Sequence, residues 1–199
     1  MTGPEAAGAP RSETDPWALP RIYAASLTDY NAGVLHGQWI NADAGVEAVQ
    51  AAIDEMLTES PTARRYGEPA EEWAIHDFSG FGPLHLHELE PLERVCLLAE
   101  GLVSHGDAFG AWMADREPSE LPSPEDFEDH FLGEWPSPIE WGESLLDDLG
   151  ISLDALSVPD SLRPYLKIDV DSWVHDMQLG GEISVTETSS GNVYVFWND

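Results

Sequence analysis

Two histidines in the segment His85-Leu86-His87-Glu88 form the best candidate metal site in the sequence. Alternate residues of a strand face the same side, and imidazole is a common ligand of zinc and nickel. No second pair of ligands follows at a spacing familiar from such sites. We therefore interpret both histidines as solvated side chains of a strand or loop, and we expect no metal or other cofactor.

A second pattern, Asp169-Val170-Asp171, begins as a calcium-binding loop does. Such a loop needs a glycine at its sixth position for the sharp turn and a bidentate glutamate at its twelfth. Val174 and Gly180 stand at those positions. We therefore predict no calcium site of this type.

The sequence lacks the motifs of common catalytic sites. A phosphate-binding loop needs glycines that lead into a lysine, but the only lysine, Lys167, follows Leu166. There is no Gly-x-Ser-x-Gly elbow, no His-Glu-x-x-His motif and no Gly-x-Gly-x-x-Gly turn after a strand. Paired carboxylates could serve a hydrolase, but among 38 acids any spacing arises by chance. We predict that the protein is not an enzyme.

Acidic residues dominate the chain. Its 199 residues include 38 Asp and Glu but only 8 Lys and Arg, which gives a formal net charge of -30. The acids are spread along the chain, with 10 in residues 21–78, 12 in 79–130 and 13 in 131–199. Such a surface repels nucleic acid and anionic membranes and attracts basic proteins or cations. We predict a basic protein partner and no direct binding to nucleic acid or membrane.

The apolar content is sufficient for a folded protein. Leu, Ile, Val and Phe account for 46 of 199 residues, which is above the share of about 20% below which disorder is expected. We find no run of about 20 apolar residues that could span a membrane and no apolar signal-peptide core, so we expect a cytoplasmic protein. The lone Cys96 lies in an apolar run and is predicted to be a small buried side chain without redox chemistry.

The periodicity of apolar residues predicts strands first and mainly helices later. Residues 1–20, rich in Pro, Ala and Gly, indicate a flexible tail. The predicted elements of the next part are strands over 21–27 and 34–42 around a turn at 28–33, a helix from Val46 to Glu59, a loop over 62–69 after Pro61, and a strand over 72–78. A helix follows whose apolar face runs over 92–103 and which Gly106 should interrupt. The remaining predicted elements are helices over 107–116, 125–132, 137–149, 159–166 and 169–178 and a hairpin of strands 182–186 and 192–197.

Four segments resemble the ArdA family of antirestriction proteins. Two of them look like the opening of the family and its third strand: Arg21-Ile-Tyr-Ala-Ala-Ser-Leu-Thr-Asp-Tyr-Asn-Ala-Gly-Val-Leu-His-Gly-Gln-Trp-Ile40 and Glu71-Glu-Trp-Ala-Ile-His-Asp-Phe78. The others resemble the antirestriction motif and the segment after it: Leu156-Ser-Val-Pro-Asp-Ser-Leu-Arg-Pro-Tyr-Leu-Lys-Ile-Asp169 and Trp173-Val-His-Asp-Met-Gln-Leu-Gly-Gly181. The resemblance is ordered and covers roughly residues 21–197.

The resemblance implies an elongated α+β protein of three small domains that dimerises through the third. The domains expected are an antiparallel sheet with a helix over 21–88, a helical middle over 89–130, and helices with a β-hairpin over 131–199. The family pattern is not matched in the N-terminal tail, in the proline-rich stretch 118–124, or at Arg163 and Lys167 within the motif.

The function implied by the resemblance is DNA mimicry. Carboxylates along the chain would imitate the phosphates of bent DNA, occupy the DNA-binding groove of type I restriction-modification enzymes and so protect incoming mobile DNA. The expected mimic acids are Asp54, Glu55, Glu59, Glu88, Glu90, Glu93, Glu100, Asp107, Asp115, Glu117, Glu120, Glu125, Asp126, Glu128, Asp129, Glu134, Glu140, Glu143, Asp147 and Asp148.

The antirestriction motif has two interpretations. By position in the family, its apolar residues would lie at the interface of a homodimer; from the residues alone, they form a proline-started helix in a local core. These residues are Leu156, Val158, Pro159, Leu162, Tyr165 and Leu166.

Other functions remain open for so acidic a chain. It could be an interaction module or a salt-adapted protein that binds another basic partner, such as a different phage-defence complex. A hydrolase is the third alternative.

Overall fold

The computed structural model describes residues 19–116, 121–151, 157 and 159–198. These residues pack into two compact units, the first ending at Phe127 and the second beginning at Glu128. Each unit combines helices with a three-stranded antiparallel sheet, which confirms the α+β class. The further division of the first unit into domains over 21–88 and 89–130 stays a prediction.

The sheet of the first unit is built around its first strand. β1 (Arg21–Ser26) lies between β2 (Gly37–Asn41) and β3 (Trp73–Ser79), antiparallel to both. All three strands were predicted. The connection from β1 to β2 is not the simple turn expected from the sequence, because it contains a short helix, α1 (Leu27–Asn31). The Ser26 hydroxyl caps that helix by accepting a hydrogen bond from the backbone N–H of its third residue at 3.3 Å.

Two consecutive helices follow β2. α2 (Val46–Thr58) has apolar residues three or four positions apart, so one face packs into the core through Val49, Ile53 and Met56. The expected loop after Pro61 is wrong, because α3 (Pro61–Tyr66) starts there. Proline lacks only an N–H that the first helical turn leaves unbonded anyway, and the Ser60 hydroxyl caps the helix by accepting from Ala63 N–H at 3.0 Å.

A long helix with a break completes most of the first unit. α4 (Leu92–Ala114) loses helical geometry at Gly106, where φ is 63° and ψ is -145°, a backbone conformation open essentially to glycine alone. This break was predicted. Beyond it, the Phe109 ring lies so close to Gly101 that any side chain there would collide with the ring. The aromatic core extends to Phe127, whose ring centroid is 5.6 Å from that of Phe109.

The boundary between the units falls within α5 (Pro124–His130). The predicted helix ended at residue 132, but the chain is already extended from residue 131 onward in β4 (Phe131–Trp135). This strand was not predicted, because its five residues include a glycine and lack the regular alternation of a half-buried strand.

The sheet of the second unit has the strand order β4-β6-β5. β5 (Ile183–Glu187) and β6 (Val193–Trp197) form the antiparallel hairpin predicted at the C-terminus. Two helices pack with this sheet, α6 (Pro138–Asp148) and α7 (Val170–Gly180), both predicted within two residues. The predicted helix over 159–166 is wrong in extent, since only a 3-10 turn over Arg163–Tyr165 forms there.

Close packing between α6 and α7 depends on Gly142. A Cβ atom at this position would lie 2.9 Å from Cγ1 of Val170 and closer still to Cγ2 of Val174. The two helices could not keep their present separation with a larger residue there. None of the helices described in either unit has the length and apolar character needed to cross a membrane.

We expect Gly142→Ala to destabilise the second unit by about 1–3 kcal/mol, because the added methyl group overpacks the contact with α7. Urea unfolding followed by near-UV circular dichroism measures the change. Gly180→Ala is the matched control, since its Cβ would have only Glu182 nearby, at 3.7 Å. Equal stability of the two variants would contradict this account of the helix contact.

Candidate partner-binding surface

Nearly all the carboxylates described by the structure are on the surface. Of 31 such acidic residues, 28 are exposed, Glu90 and Glu134 are half-buried, and Asp29 is buried. The expected mimic acids follow this pattern: sixteen are exposed, and two, Glu117 and Glu120, lie outside the described residues. The surface charge is therefore available to a partner over both units.

The helices separate carboxylates from core residues by their periodicity. On α2, Asp54 and Glu55 are exposed while the adjacent Ile53 is fully buried. On α6, Trp141 is buried at 4% exposure, whereas Glu140, like the other acids of this helix, is exposed. Each helix thus buries one apolar stripe and presents its acids to solvent on the opposite side.

Arginine side chains are held mainly against neighbouring groups. The guanidinium of Arg21 lies 4.7 Å from the ring centroid of Trp39, and that of Arg116 lies 3.9 Å from Trp112. Arg94 forms an ion pair with Glu90 at 3.1 Å. These arginines keep their positive charge, but 8 Lys and Arg offset only a small part of the charge of 38 acids.

Two of the expected mimic acids also make contacts inside the protein. Glu90 accepts a hydrogen bond from the backbone N–H of His87 at 3.2 Å, in addition to its ion pair. The carboxylate of Glu134 accepts from the Asn192 amide at 2.8 Å and from the Ser190 hydroxyl at 3.2 Å. These two side chains support turns and are less free to meet a partner than the exposed acids.

The apolar residues of the antirestriction motif are exposed where the structure describes them. The exposed fraction is 51% for Leu162, 83% for Tyr165 and 37% for Leu166. The interpretation of these residues as a local core is therefore wrong within a single chain. Leu156 and Val158, also expected at the interface, lie outside the described residues, while Pro159 is exposed.

Comparison with known families assigns the chain to one of them. The family model for the antirestriction protein ArdA matches residues 22–191, which include most of both units. The chain belongs to the ArdA family of antirestriction proteins. In the comparison with curated proteins, no match was found.

Within the described part of the chain, the candidate metal residues are not part of a larger ligand cluster. In this ArdA-family chain the ring centroids of His85 and His87 are 6.0 Å apart. No group of three or more His, Cys, Asp or Glu side chains suited to a metal ion occurs within the described ranges. Asp169, which begins the calcium-like pattern, instead caps α7 by accepting from Ser172 N–H at 3.1 Å.

Cys96 is buried, as predicted, with 6% of its surface exposed. Burial raises the pKa of its thiol, because the charged thiolate is poorly solvated there. A protonated, inaccessible thiol is a poor nucleophile, so this cysteine acts as a small apolar residue.

Asp29 is the exception among the described acids, and sequence reasoning missed its role. It is fully buried, and its carboxylate accepts a hydrogen bond from the Thr62 N–H at 2.9 Å, which ties α1 to the first turn of α3. Burial alone raises the pKa of this carboxyl, but hydrogen bonds from Ser60, Thr62 and other nearby groups outweigh burial and hold the pKa well below its ordinary value. Its position in an apparent turn offered no sequence signal for this contact.

We expect Asp29→Ala to lower the free energy of unfolding by about 1–3 kcal/mol, because it leaves buried donors without an acceptor. Since the folded-state pKa is depressed, the stabilisation is complete above the unfolded-state pKa of about 4 and disappears as the pH falls through the folded-state value. The difference between variant and wild type should therefore shrink in chemical denaturation below about pH 4. Asp43→Ala, at an exposed acid, is the control and should change stability by less than about 0.5 kcal/mol.

Proposed function

We propose that this antirestriction protein is a DNA mimic that occupies the DNA-binding groove of type I restriction-modification enzymes and so protects incoming mobile DNA. The observation that carries the proposal is the exposure of 28 of the 31 described carboxylates, on both units. Family membership supplies the antirestriction role, and the charge supplies a means of achieving it. A groove that binds phosphates is rich in Lys and Arg, which are the groups this surface attracts.

The amount of charge is sufficient for mimicry of a long DNA segment. B-form DNA carries one negative charge per about 1.7 Å of its axis. Two chains of net charge -30 therefore match about 100 Å, or roughly 30 base pairs. This is an upper bound, because it counts carboxylates on every face.

The proposed mechanism is competition through many weak contacts. Each exposed ion pair with a groove Lys or Arg contributes about 0–1 kcal/mol, so no single acid dominates. The sum of such pairs gives tight binding, and the negative field accelerates encounter with a basic groove. Salt weakens both effects by screening the charges.

We also propose a homodimer formed through the antirestriction motif. Apolar side chains of the motif, chiefly Tyr165 and Leu162, are exposed in the single chain, and burial against a second copy would remove them from water. A dimer joins two acidic chains and doubles the charge presented to one target. Leu156, Val158, Pro159 and Leu166 complete the proposed interface.

Inhibition of a purified type I restriction-modification enzyme on its DNA substrate, titrated at two salt concentrations, tests the proposed mimicry. We expect inhibition that DNA competes away and that weakens as salt rises. Neutralising the four acids of α6, with Glu140→Gln, Glu143→Gln, Asp147→Asn and Asp148→Asn together, should weaken inhibition about tenfold.

A second variant supplies the control for the distributed mechanism. Amide substitution of four exposed acids in the first unit, Glu47, Asp54, Glu55 and Glu59, should weaken inhibition by a similar factor, and each single substitution should have little effect. Loss of all inhibition from one substitution in a folded protein would contradict the mechanism. Absence of inhibition by the wild-type chain would favour a different basic partner.

The proposed dimer makes a separate prediction. Tyr165→Glu should shift the protein from dimer to monomer in light scattering at micromolar concentration, because it places a charge in an apolar contact. Leu179→Glu is the control, since Leu179 is 74% exposed in the same unit but lies outside the motif. A monomeric wild type would rule out the proposed interface.

A further inference from the structure

Two neighbouring segments of the first unit contain no acidic residue of their own, although Asp54 and Glu71 line a pocket together with Ala63 of the second segment. The segments are Tyr30–His36 and Pro61–Gly67. The hydrogen bond from Thr62 N–H to the Asp29 carboxylate brings α1 and α3 together, so the two segments are neighbours. We call them the acid-free surface. Residues 161–168 of the second unit also contain no Asp or Glu, so the name refers only to these two segments of the first unit.

The acid-free surface exposes large apolar side chains. The exposed fraction is 88% for Leu35, 66% for Tyr66 and 54% for Tyr30. These residues lie in two neighbouring segments, and contiguous apolar patches mark interaction sites more often than residues scattered singly. Tyrosine, with its apolar ring and polar hydroxyl, is also enriched where proteins contact each other.

The loop that carries Leu35 is held by backbone hydrogen bonds. The N–H of Val34 donates to the Asp29 carbonyl at 2.9 Å, and the His36 carbonyl accepts from Ser26 N–H at 2.9 Å. Gly33, with φ of 76°, permits the reversal between these contacts. A loop fixed in this way loses little conformational entropy when a partner binds to it.

The cations of the acid-free surface are available to a partner. Arg64 and Arg65 are exposed, and neither forms an ion pair with any residue described by the structure. The guanidinium of Arg65 lies 5.4 Å from the ring centroid of Tyr66, so charge and aromatic surface are presented together. An acidic group on a partner would complement the guanidinium, and an apolar group beside it would contact the ring.

The position of these cations next to exposed acids matters for the mimic. Glu59 and Glu68 are exposed and flank α3 in the sequence, so the acid-free surface borders the acidic one. A target that binds Glu59 or Glu68 would therefore come close to the acid-free surface. A basic groove would repel Arg64 and Arg65, and this places the contact beside the groove rather than within it.

We propose that the acid-free surface binds an acidic, partly apolar surface of the target enzyme beside its DNA-binding groove. This inference rests on the proposed function and adds a contact that DNA itself does not make. Carboxylates alone recognise any basic groove, whereas an apolar contact with complementary cations favours a particular protein. The contact also retains its apolar part at salt concentrations that screen the carboxylates.

The test compares inhibition by variants that have equal net charge. Arg64→Gln with Arg65→Gln removes two positive charges, while Ala48→Glu with Ser104→Glu adds two negative charges at exposed positions outside the acid-free surface. Both pairs change the formal charge from -30 to -32 by this arithmetic. We expect the arginine variant to require about tenfold more protein for half-inhibition, and the control to require the same amount or less.

Leu35→Ser tests the apolar part of the contact, with Leu179→Ser as a control that removes an equally large, exposed side chain. We expect the Leu35 variant to inhibit about tenfold less well at both low and high salt, and the Leu179 variant to inhibit as the wild type does. Circular dichroism confirms that each variant is folded.

Three results would overturn the inference. Stronger inhibition by the arginine variant, equal to that of its control, would place the acid-free surface inside a basic groove. Unchanged inhibition by Leu35→Ser would remove the apolar contact. A change of oligomeric state in light scattering would assign the surface to a second copy of the chain. Failure of the proposed function is distinct, because the wild-type protein itself would not inhibit.

Discussion

Repulsion among like charges is the constraint on which the rest of this structure depends. A chain of net charge -30 is compact only if its carboxylates lie on the surface, in water, and its apolar residues supply the core. The helices separate acids from core residues by periodicity, as α2 does with Ile53 inside and Asp54 outside. Because the same repulsion keeps the carboxylates solvated, they are available to a basic partner.

Aromatic residues and glycines compensate for the small size of each core. Small domains bury a limited share of their surface, so large rings in close contact matter more than in a larger protein. Phe109, Trp112 and Phe127 pack with ring centroids less than 6 Å apart in the first unit. In the second, Gly142 lets α7 approach α6 closely. Such contacts tolerate little change of side-chain volume, whereas the exposed acids tolerate much.

The sequence allowed prediction of the regular elements and of the acidic surface, because both depend on local patterns. Periodicity located α2, α6 and the C-terminal hairpin, and the glycine at 106 located the break in α4. Features that depend on distant contacts were missed. β4 requires pairing with β6, and the burial of Asp29 depends on Thr62, 33 positions away. No short segment contains that information.

Mimicry of DNA by charge alone would have a cost in selectivity. A surface that imitates phosphates competes for every basic groove in the cell, and its affinity falls steeply as salt rises. Short-range apolar contacts change less with salt and depend on the shape of one partner. The hydrogen-bonded loop that displays Leu35 lies in a segment that neighbours the one carrying the exposed Arg64 and Arg65, and the two together have the composition that such a contact needs. Charge would then determine how fast the protein reaches its target, and the acid-free surface would determine which target it holds.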